Sequence, residues 1–317
     1  MRWEGLPALA CHLCSRRNWG EIAAGSRKAR ALVKKNVLVG VDGSAVGSAA
    51  VDWAAERARD LGLQLNLVHA VPEPWAFPEK ALHDGATAQA KDLLKGEAAR
   101  VTARFPSLGV VTTLSSGEPA ETMRKLSADA EMVVVGTDRR PGNHGEGFGS
   151  VSFQIAVISH CAVAIVPARS TRESSGVVVG VDGSPDSELA VECAADEAQR
   201  MRQELVIVHA GSGRDPVASG TPGRGTGAAE PGLDGHALLS KSVKGLEERH
   251  PGLAILKILD LERAPAEALL DAGARARLLV MGCKGRGGAR VLVGSVAQHV
   301  LLNVRCPTLI TRPSVAS

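Results

Sequence analysis

Two short motifs in this sequence combine residue types that can bind a phosphate-bearing ligand. The first is Gly40–Ser44 (GVDGS), which directly follows an apolar run of β-branched residues. Glycine allows a ligand to approach the backbone closely, and the aspartate carboxylate could accept hydrogen bonds from ribose hydroxyls or hold a phosphate-bound metal ion. Taken alone, Asp-Gly-Ser is more typical of a turn followed by a helix N-cap. The motif therefore leaves a binding role and a purely structural role open.

The second motif is a glycine-rich stretch, Gly282–Gly288 (GCKGRGG), which is followed by Gly294 and Ser295 at the predicted start of a helix. Loops that are poor in side chains expose backbone N–H groups that can surround a phosphate, and a helix N-terminus favours its negative charge. No Gly-Lys-Ser/Thr closes this loop onto the helix, so it is not a P-loop. By itself, the stretch is a weak indication of a phosphate site.

Both motifs belong to an internal repeat. Val37–Ser44 recurs as Val177–Ser184, 140 residues later, and Val68–Ala70 recurs at the same distance as Val208–Ala210. Towards the carboxyl terminus the distance is 145 residues, and the matching pairs are Gly149–Val151 with Gly294–Val296 and Cys161 with Cys306. The repeat predicts two copies of one domain.

The predicted boundaries follow from the repeat and from composition. We expect one domain over residues 36–168 and a second over residues 176–313, joined by a short polar linker at residues 169–175. Residues 1–35 carry eight Lys and Arg residues against two acidic ones and lack the apolar core of a secretory signal. We interpret them as a basic, disordered extension, or as the product of a start codon assigned too far upstream.

Each copy alternates apolar runs with amphipathic segments. In the first copy we predict strands over residues 36–41, 64–71, 110–114, 132–136 and 162–166, and helices over residues 46–61, 88–105, 120–128 and 151–159. Nearly continuous apolar strands separated by amphipathic helices are typical of a parallel sheet with helices on both faces. The predicted fold class is therefore α/β, with Trp53 in the core face of the first helix.

The two motifs are predicted to meet at one edge of the sheet. In a doubly wound sheet of strand order 3-2-1-4-5, ligands bind between the carboxyl ends of strands one and four, where the strand order reverses. Gly40–Ser44 follows strand one, the glycine-rich stretch follows strand four of its copy, and the same holds for their counterparts. This combination favours a nucleotide site in each copy.

The composition excludes several classes of protein. The chain is 44% apolar, but its unbroken apolar runs are far shorter than the roughly 20 residues of a membrane-spanning helix, so no membrane association is expected. Beyond residue 35, acidic residues slightly outnumber basic ones, and Tyr is absent, so no nucleic acid is expected as a partner. The six cysteines form no disulfide framework, which favours a cytoplasmic location.

With these motifs in both copies, the sequence resembles a tandem universal stress protein over both predicted domains. The supporting features are V-G-V-D-G-S after strand one, V-H-A at the end of strand two, the glycine loop, and G-S-V before the last helix. The resemblance implies two Rossmann-like domains of the adenine-nucleotide-hydrolase type. Each would be a five-stranded parallel sheet of order 3-2-1-4-5, and the two would pack as a pseudo-dimer. It also implies ATP, with or without Mg, as the ligand.

The resemblance further implies a role for each matching position. In the first copy adenine would lie near Val41 and Ala70, ribose near Asp42, and phosphates over the glycine loop and Ser150. The candidate nucleotide-binding residues of the first copy are Gly40, Val41, Asp42, Ala70, Gly136, Arg139, Gly149, Ser150 and Val151. Those of the second copy are Gly180, Val181, Asp182, Ala210, Gly282, Lys284, Gly285, Arg286, Gly287, Gly288, Gly294, Ser295 and Val296.

Neither copy matches the family's G-x2-G-x9-G-S/T pattern in full. In the first copy Arg139 replaces the second glycine, and its guanidinium could either contact phosphate or block the loop. In the second copy both glycines are kept, but the stretch between Gly285 and Gly294 is one residue short. Because its glycines are intact, we rank the second copy slightly higher.

The favoured function is binding of an adenine nucleotide as a regulatory ligand in a stress response. No residue is a convincing general base, so no catalytic site is predicted. The Cys11–Cys14 pair has no further ligand at suitable spacing nearby, so no metal site is predicted either. An enzyme of this fold would be expected to carry S-G-G-x-D-S or H-x-G-H, and neither is present. His69 and His209 are therefore assigned to the rim or core of the sheet.

Two other interpretations stay open. The chain could be a nucleotide-free protein that dimerises or binds partners, since both loops depart from the pattern; a homodimer of full chains is also compatible with the sequence. Cys283, beside Lys284, offers a minor hypothesis of a thiol sensor, because a nearby cation can lower a thiol pKa.

Overall fold

The computed structural model describes residues 36–138, 151–168, 174–211, 231–285 and 292–313. The first half contains strands β1 (Asn36–Gly40), β2 (Gln64–Val71), β3 (Val110–Ser116), β4 (Met132–Thr137) and β5 (Ala162–Pro167), and helices α1 (Ala45–Leu61), α2 (Lys80–Arg104), α3 (Pro119–Leu126) and α4 (Val151–Ile158). The predicted extension at residues 1–35 and most of the predicted linker lie outside the described residues.

The second half repeats this order. Its strands are β6 (Val177–Gly180), β7 (Leu205–Ala210), β8 (Ile255–Asp260), β9 (Leu278–Gly282) and β10 (Thr308–Thr311), and its helices are α5 (Pro185–Met201), α6 (Pro231–Val243), α7 (Leu246–Arg249), α8 (Pro265–Gly273) and α9 (Ser295–Leu302). Alternation of strands and helices, predicted from the apolar periodicity, is confirmed in both halves.

Helix α2 differs most from its predicted extent, since it begins at Lys80 rather than Ala88. Its first turns carry no buried residue, so apolar periodicity could not reveal them. Lys80 Nζ and Asp84 Oδ2, four residues apart, form an ion pair of 2.6 Å that supports the first turn. Local charge pairing therefore extends this helix beyond its buried face.

Helix α1 shows how the sequence sets the helix ends. Ser44 caps its N-terminus by accepting the backbone N–H of Gly47 at 2.9 Å, and Gly62 ends it in the left-handed region at φ 65°. Ala50 and Ala54 are fully buried. The predicted core residue Trp53 is half-buried and packs against the same apolar layer.

The ten strands form one continuous sheet of order β3-β2-β1-β4-β5-β10-β9-β6-β7-β8. Within each half the order is 3-2-1-4-5 and neighbouring strands are parallel, as predicted. The halves meet at β5 and β10, which pair antiparallel with Ala164 opposite Leu309. The two halves are therefore arranged as a pseudo-dimer with a shared sheet.

Successive strand residues lie on opposite faces of the sheet and contribute to two apolar layers, one on each face. Val37 and Val39 belong to the layer under α1, α2 and α5, whereas Leu38 belongs to the opposite layer under α3, α4, α8 and α9. Burial on both faces explains the nearly continuous apolar strands. Within the described residues, no helix is long and apolar enough to cross a membrane.

Candidate functional site

The Asp-Gly-Ser motifs lie at the carboxyl ends of β1 and β6, beside the ends of β4 and β9. In the second half, Asp182 Oδ1 accepts the backbone N–H of Ser184 at 2.9 Å, and Gly183 adopts φ 80°. The Ser184 hydroxyl then accepts the N–H of Ser187 at 3.2 Å and caps α5. The turn and N-cap suggested by the sequence are therefore present, and they fix the aspartate at the edge of the sheet.

The first half builds the same turn. Asp42 Oδ1 accepts both the backbone N–H of Ser44 at 2.9 Å and its hydroxyl at 2.7 Å. A Cβ at Gly47 would overlap this carboxylate oxygen, so a larger residue there would require the Asp42 side chain to shift. The second half has Ser187 at the matching position.

A histidine holds each of these turns from the neighbouring strand. His209 Nδ1 lies 2.8 Å from the carbonyl oxygen of Val181, and His69 Nδ1 lies 2.5 Å from that of Val41. Because a carbonyl oxygen only accepts, Nδ1 must donate, which places a proton on that nitrogen of each ring. The sequence predicted rim or core positions for these rings, but it did not predict that they hydrogen-bond to the aspartate turns. The V-H-A tripeptide, which occurs in both copies, was the available signal.

The second-half motifs surround one cavity of about 560 Å³. All ten described candidate residues of this copy line it: Gly180, Val181, Asp182, Ala210, Gly282, Lys284, Gly285, Gly294, Ser295 and Val296. The remaining three candidates, Arg286, Gly287 and Gly288, lie outside the described residues. The tertiary structure thus brings together residues that are far apart in sequence.

The cavity has both apolar and polar lining residues. Val208, Leu269 and Met281 contribute apolar side chains that sequence analysis did not select. Helix α9, which also borders the cavity, begins at Ser295 with Gly294 as its N-cap, a residue without a side chain to satisfy the first backbone N–H groups. The cavity therefore combines a surface suited to a flat apolar ring with helix amides suited to an anion.

The glycine-rich loop is attached to α5 at its start. Asp186 Oδ2 accepts the backbone N–H of Lys284 at 3.0 Å and the Sγ–H of Cys283 at 3.1 Å. A Cβ on Gly282 would lie 2.8 Å from the backbone of Asp186, so packing of α5 on β9 requires this glycine. Gly282 is therefore required by packing, in addition to its predicted role in nucleotide binding.

Cys283 does not have the environment of a reactive thiol. Its side chain is buried, and burial together with the hydrogen bond to Asp186 raises its pKa to about 11. The sensor hypothesis, which required a pKa lowered by Lys284, is therefore wrong for this fold. Desolvation and the adjacent carboxylate outweigh the more distant cation.

Comparison with known proteins agrees with the repeat. The sequence model of the universal stress protein family matches residues 34–167 and again residues 175–312. The chain belongs to the universal stress protein family. Universal stress proteins Rv2005c and Rv2623 of Mycobacterium tuberculosis are each 34% identical to it, over 88% of this chain and 97% of the relative.

A solved structure supports the tandem arrangement of this universal stress protein. A universal stress protein from Archaeoglobus fulgidus covers 90% of this chain and 98% of its own, with a TM-score of 0.66 and 17% identity. At that identity the likeness shows the fold alone. It extends over both halves of this universal stress protein.

In the first half of this universal stress protein, the described candidates lie at equivalent places. Gly40, Val41, Asp42, Ala70 and Gly136 are at or just beyond the carboxyl ends of β1, β2 and β4. Val151 is the first residue of α4. Arg139, Gly149 and Ser150 lie outside the described residues.

Proposed function

We propose that this universal stress protein binds an adenine nucleotide, ATP with or without Mg, as a regulatory ligand in a stress response. The observation that carries the proposal is the cavity of about 560 Å³, around which all ten described candidate residues of the second half converge. Such convergence of apolar walls, a carboxylate and a helix N-terminus at the switch point of a doubly wound sheet is typical of nucleotide sites.

The cavity suggests an orientation for the nucleotide. Adenine would lie near Val181 and Ala210, with the apolar side chains around them providing contact area. The ribose hydroxyls would donate to Asp182, and the phosphates would lie towards Lys284 and the first amides of α9. The first half would use Val41, Ala70 and Asp42 in the same way, at the ends of β1 and β2.

We further propose that binding, rather than catalysis, is the function, and that the protein is cytoplasmic. The histidines nearest the aspartates already donate from Nδ1 to a backbone carbonyl, a positioning role. A nucleotide bound at these sites is therefore expected to be recovered intact.

The test is to purify the protein without added nucleotide, denature it, and identify and count the released small molecules by chromatography. We expect one or two adenine nucleotides per chain; Asp182→Ala should lose the second-half nucleotide and Asp42→Ala the first-half one. Asp92→Ala, on the exposed face of α2, is the matched control. Absence of nucleotide, together with no heat on titration with millimolar Mg-ATP, would overturn the proposal.

One observation favours a second candidate, a nucleotide-free scaffold. Asp186 already occupies the Lys284 amide, which a phosphate would otherwise use. A protein that fails the nucleotide test but retains its pseudo-dimer would fit this candidate, with its surfaces rather than its cavities as the functional parts.

A further inference from the structure

The two halves are related by a pseudo-two-fold axis that passes between β5 and β10. Ala164 and Leu309 are equivalent in the 145-residue repeat, and they lie directly opposite each other in the antiparallel pair. The flanking pairs, Val163 with Ile310 and Ile165 with Thr308, exchange symmetrically around them. In a two-fold interface only residues on the axis face their own equivalents, so this pair marks the axis.

The residues on the axis differ in size. Ala164 and Leu309 are both fully buried in the layer under α1 and α5. Pairing two first halves would put alanine against alanine and leave a void, whereas pairing two second halves would put leucine against leucine. Closely packed interiors tolerate neither change well. The small side chain opposite the large one therefore fits only the pairing of unlike halves.

Oppositely charged residues of α1 and α5 also face each other across this axis. Arg57 of α1 and Glu197 of α5 are equivalent in the 140-residue repeat, form an ion pair with each other, and expose only 2% of each side chain. Asp60 and Arg200, also equivalent, form a second ion pair at the edge of the first. Arg200 further bonds Glu197 at 2.7 Å, which links the two pairs.

Pairing of two like halves would replace this complementarity with repulsion between identical charges. Two first halves would bring two Arg57 guanidinium groups together in a buried position, and two second halves would bring together two Glu197 carboxylates. An uncompensated buried charge is strongly destabilising, so identical charges at this point oppose association. The repeat has diverged at the positions where identity would be harmful.

A third difference lies on the opposite face of the sheet. Arg312, at the end of β10, donates to the carbonyl oxygen of Val157 at 2.9 Å and also to that of Ala156, near the end of α4. Pro167 occupies the equivalent position in the first half and has no donor. Only a second half can supply this contact, so a pair of two first halves would lack it.

From the differences in size and charge we propose that the face formed by Arg57, Asp60, Ala164, Glu197, Arg200 and Leu309, here called the axis face, accepts only the unlike half. The two halves of one chain select each other through charge and size, and like halves of separate chains are excluded from this face. The partner for each half is therefore the other half of a chain of this sequence.

Two double variants of the full chain give both halves of one molecule the same charges on the axis face. Glu197→Arg with Arg200→Asp gives both halves the first-half charges, and Arg57→Glu with Asp60→Arg gives both halves the second-half charges. We expect each double variant to lower the midpoint of thermal unfolding by about 10 °C, because a buried charge loses its partner. Lys241→Glu, in the exposed Lys241–Glu188 pair, is the control and should change the midpoint little.

The quadruple variant, which exchanges the charges between the halves, distinguishes the proposal from a general sensitivity of these positions. We expect it to regain most of the loss, and to be soluble even where the double variants fail to fold. Independently, Leu309→Ala should lower the midpoint and Ala164→Leu with Leu309→Ala should regain most of it. Double variants as stable as the wild type, or exchanges that restore neither charge nor size, would overturn the proposal.

Discussion

The carboxylate of Asp186 accepts a hydrogen bond from the backbone N–H of Lys284 at 3.0 Å. Asp186 lies in the first turn of α5, where a negative charge is also favoured by the helix dipole. One amide of the glycine-rich loop is thereby used inside the protein, and a negative charge lies near the end of the cavity where phosphates would bind. Val46, the equivalent residue of the first half, has no side-chain acceptor for such an amide and carries no charge.

Replacing Asp186 with the first-half residue should change nucleotide selectivity. In Asp186→Val we expect affinity for ATP to rise on the order of ten-fold while affinity for adenosine changes little, because an amide donor is released and a carboxylate is removed. Calorimetric titration in an Asp42→Ala background isolates the second site. Glu188→Val removes a carboxylate from the same turn without touching the loop, and an equal gain there would contradict the role of the hydrogen bond.

The histidines should contribute to binding through the aspartate turns. His209→Ala removes the donor to the Val181 carbonyl, and we expect about a five-fold loss of nucleotide affinity at the second site, the effect of one neutral hydrogen bond. His69→Ala should act in the same way on the first site only. Calorimetry on both variants checks the assignment; a loss at the wrong site, or at neither, would refute it.

The thiol of Cys283 should react slowly. With its pKa raised to about 11 from 9.0 by burial and by Asp186, the thiolate fraction at pH 8 is about 100-fold below that of an ordinary cysteine. Mass spectrometry after iodoacetamide treatment should therefore find this site almost unmodified in the folded protein and modified in urea. Equal rates in the two states would show that the thiol is accessible and ionised.

Alkaline pH should destabilise the protein through its buried thiols. Burial raises the pKa of Cys283 to about 11 and that of Cys306 to about 12, whereas the unfolded chain ionises near 9.0. Their contribution to stability is therefore complete below pH 9 and decreases above it, by about 1.4 kcal/mol per pH unit for each thiol. Urea unfolding between pH 8 and pH 10.5 measures this slope, and Cys306→Ala should reduce it by one thiol's share.

Gly282 should be needed for folding independently of any ligand. A methyl group there would lie 2.8 Å from the backbone of Asp186, and we expect Gly282→Ala to cost about 1–3 kcal/mol of unfolding free energy. Gly96→Ala, in α2 with open space around it, should instead be neutral or slightly stabilising. Chemical unfolding of both variants tests the difference, and similar values would remove the packing argument.

Much of the fold was predictable because its signals are local or repeated. Apolar runs located the strands, the Asp-Gly-Ser motif indicated the N-cap of α1, and the repeat carried these assignments to the second half. The exposed first turns of α2 were missed, since a helix without a buried face leaves no apolar period. The positions of the site residues followed from strand order, because parallel strands bring their carboxyl ends to one edge.

The sequence by itself determined the two α/β domains, and its resemblance to the family added their strand order and ten of the residues that line the cavity. Only the tertiary structure decided that β5 and β10 join the halves into one sheet, that Asp186 reaches a loop 98 residues away, and that Arg57 faces its own repeat equivalent, Glu197. The physical reason is the distance along the chain over which each kind of interaction acts. Periodicity and capping act between neighbours along the chain, whereas these contacts depend on the packing of elements that are distant in sequence.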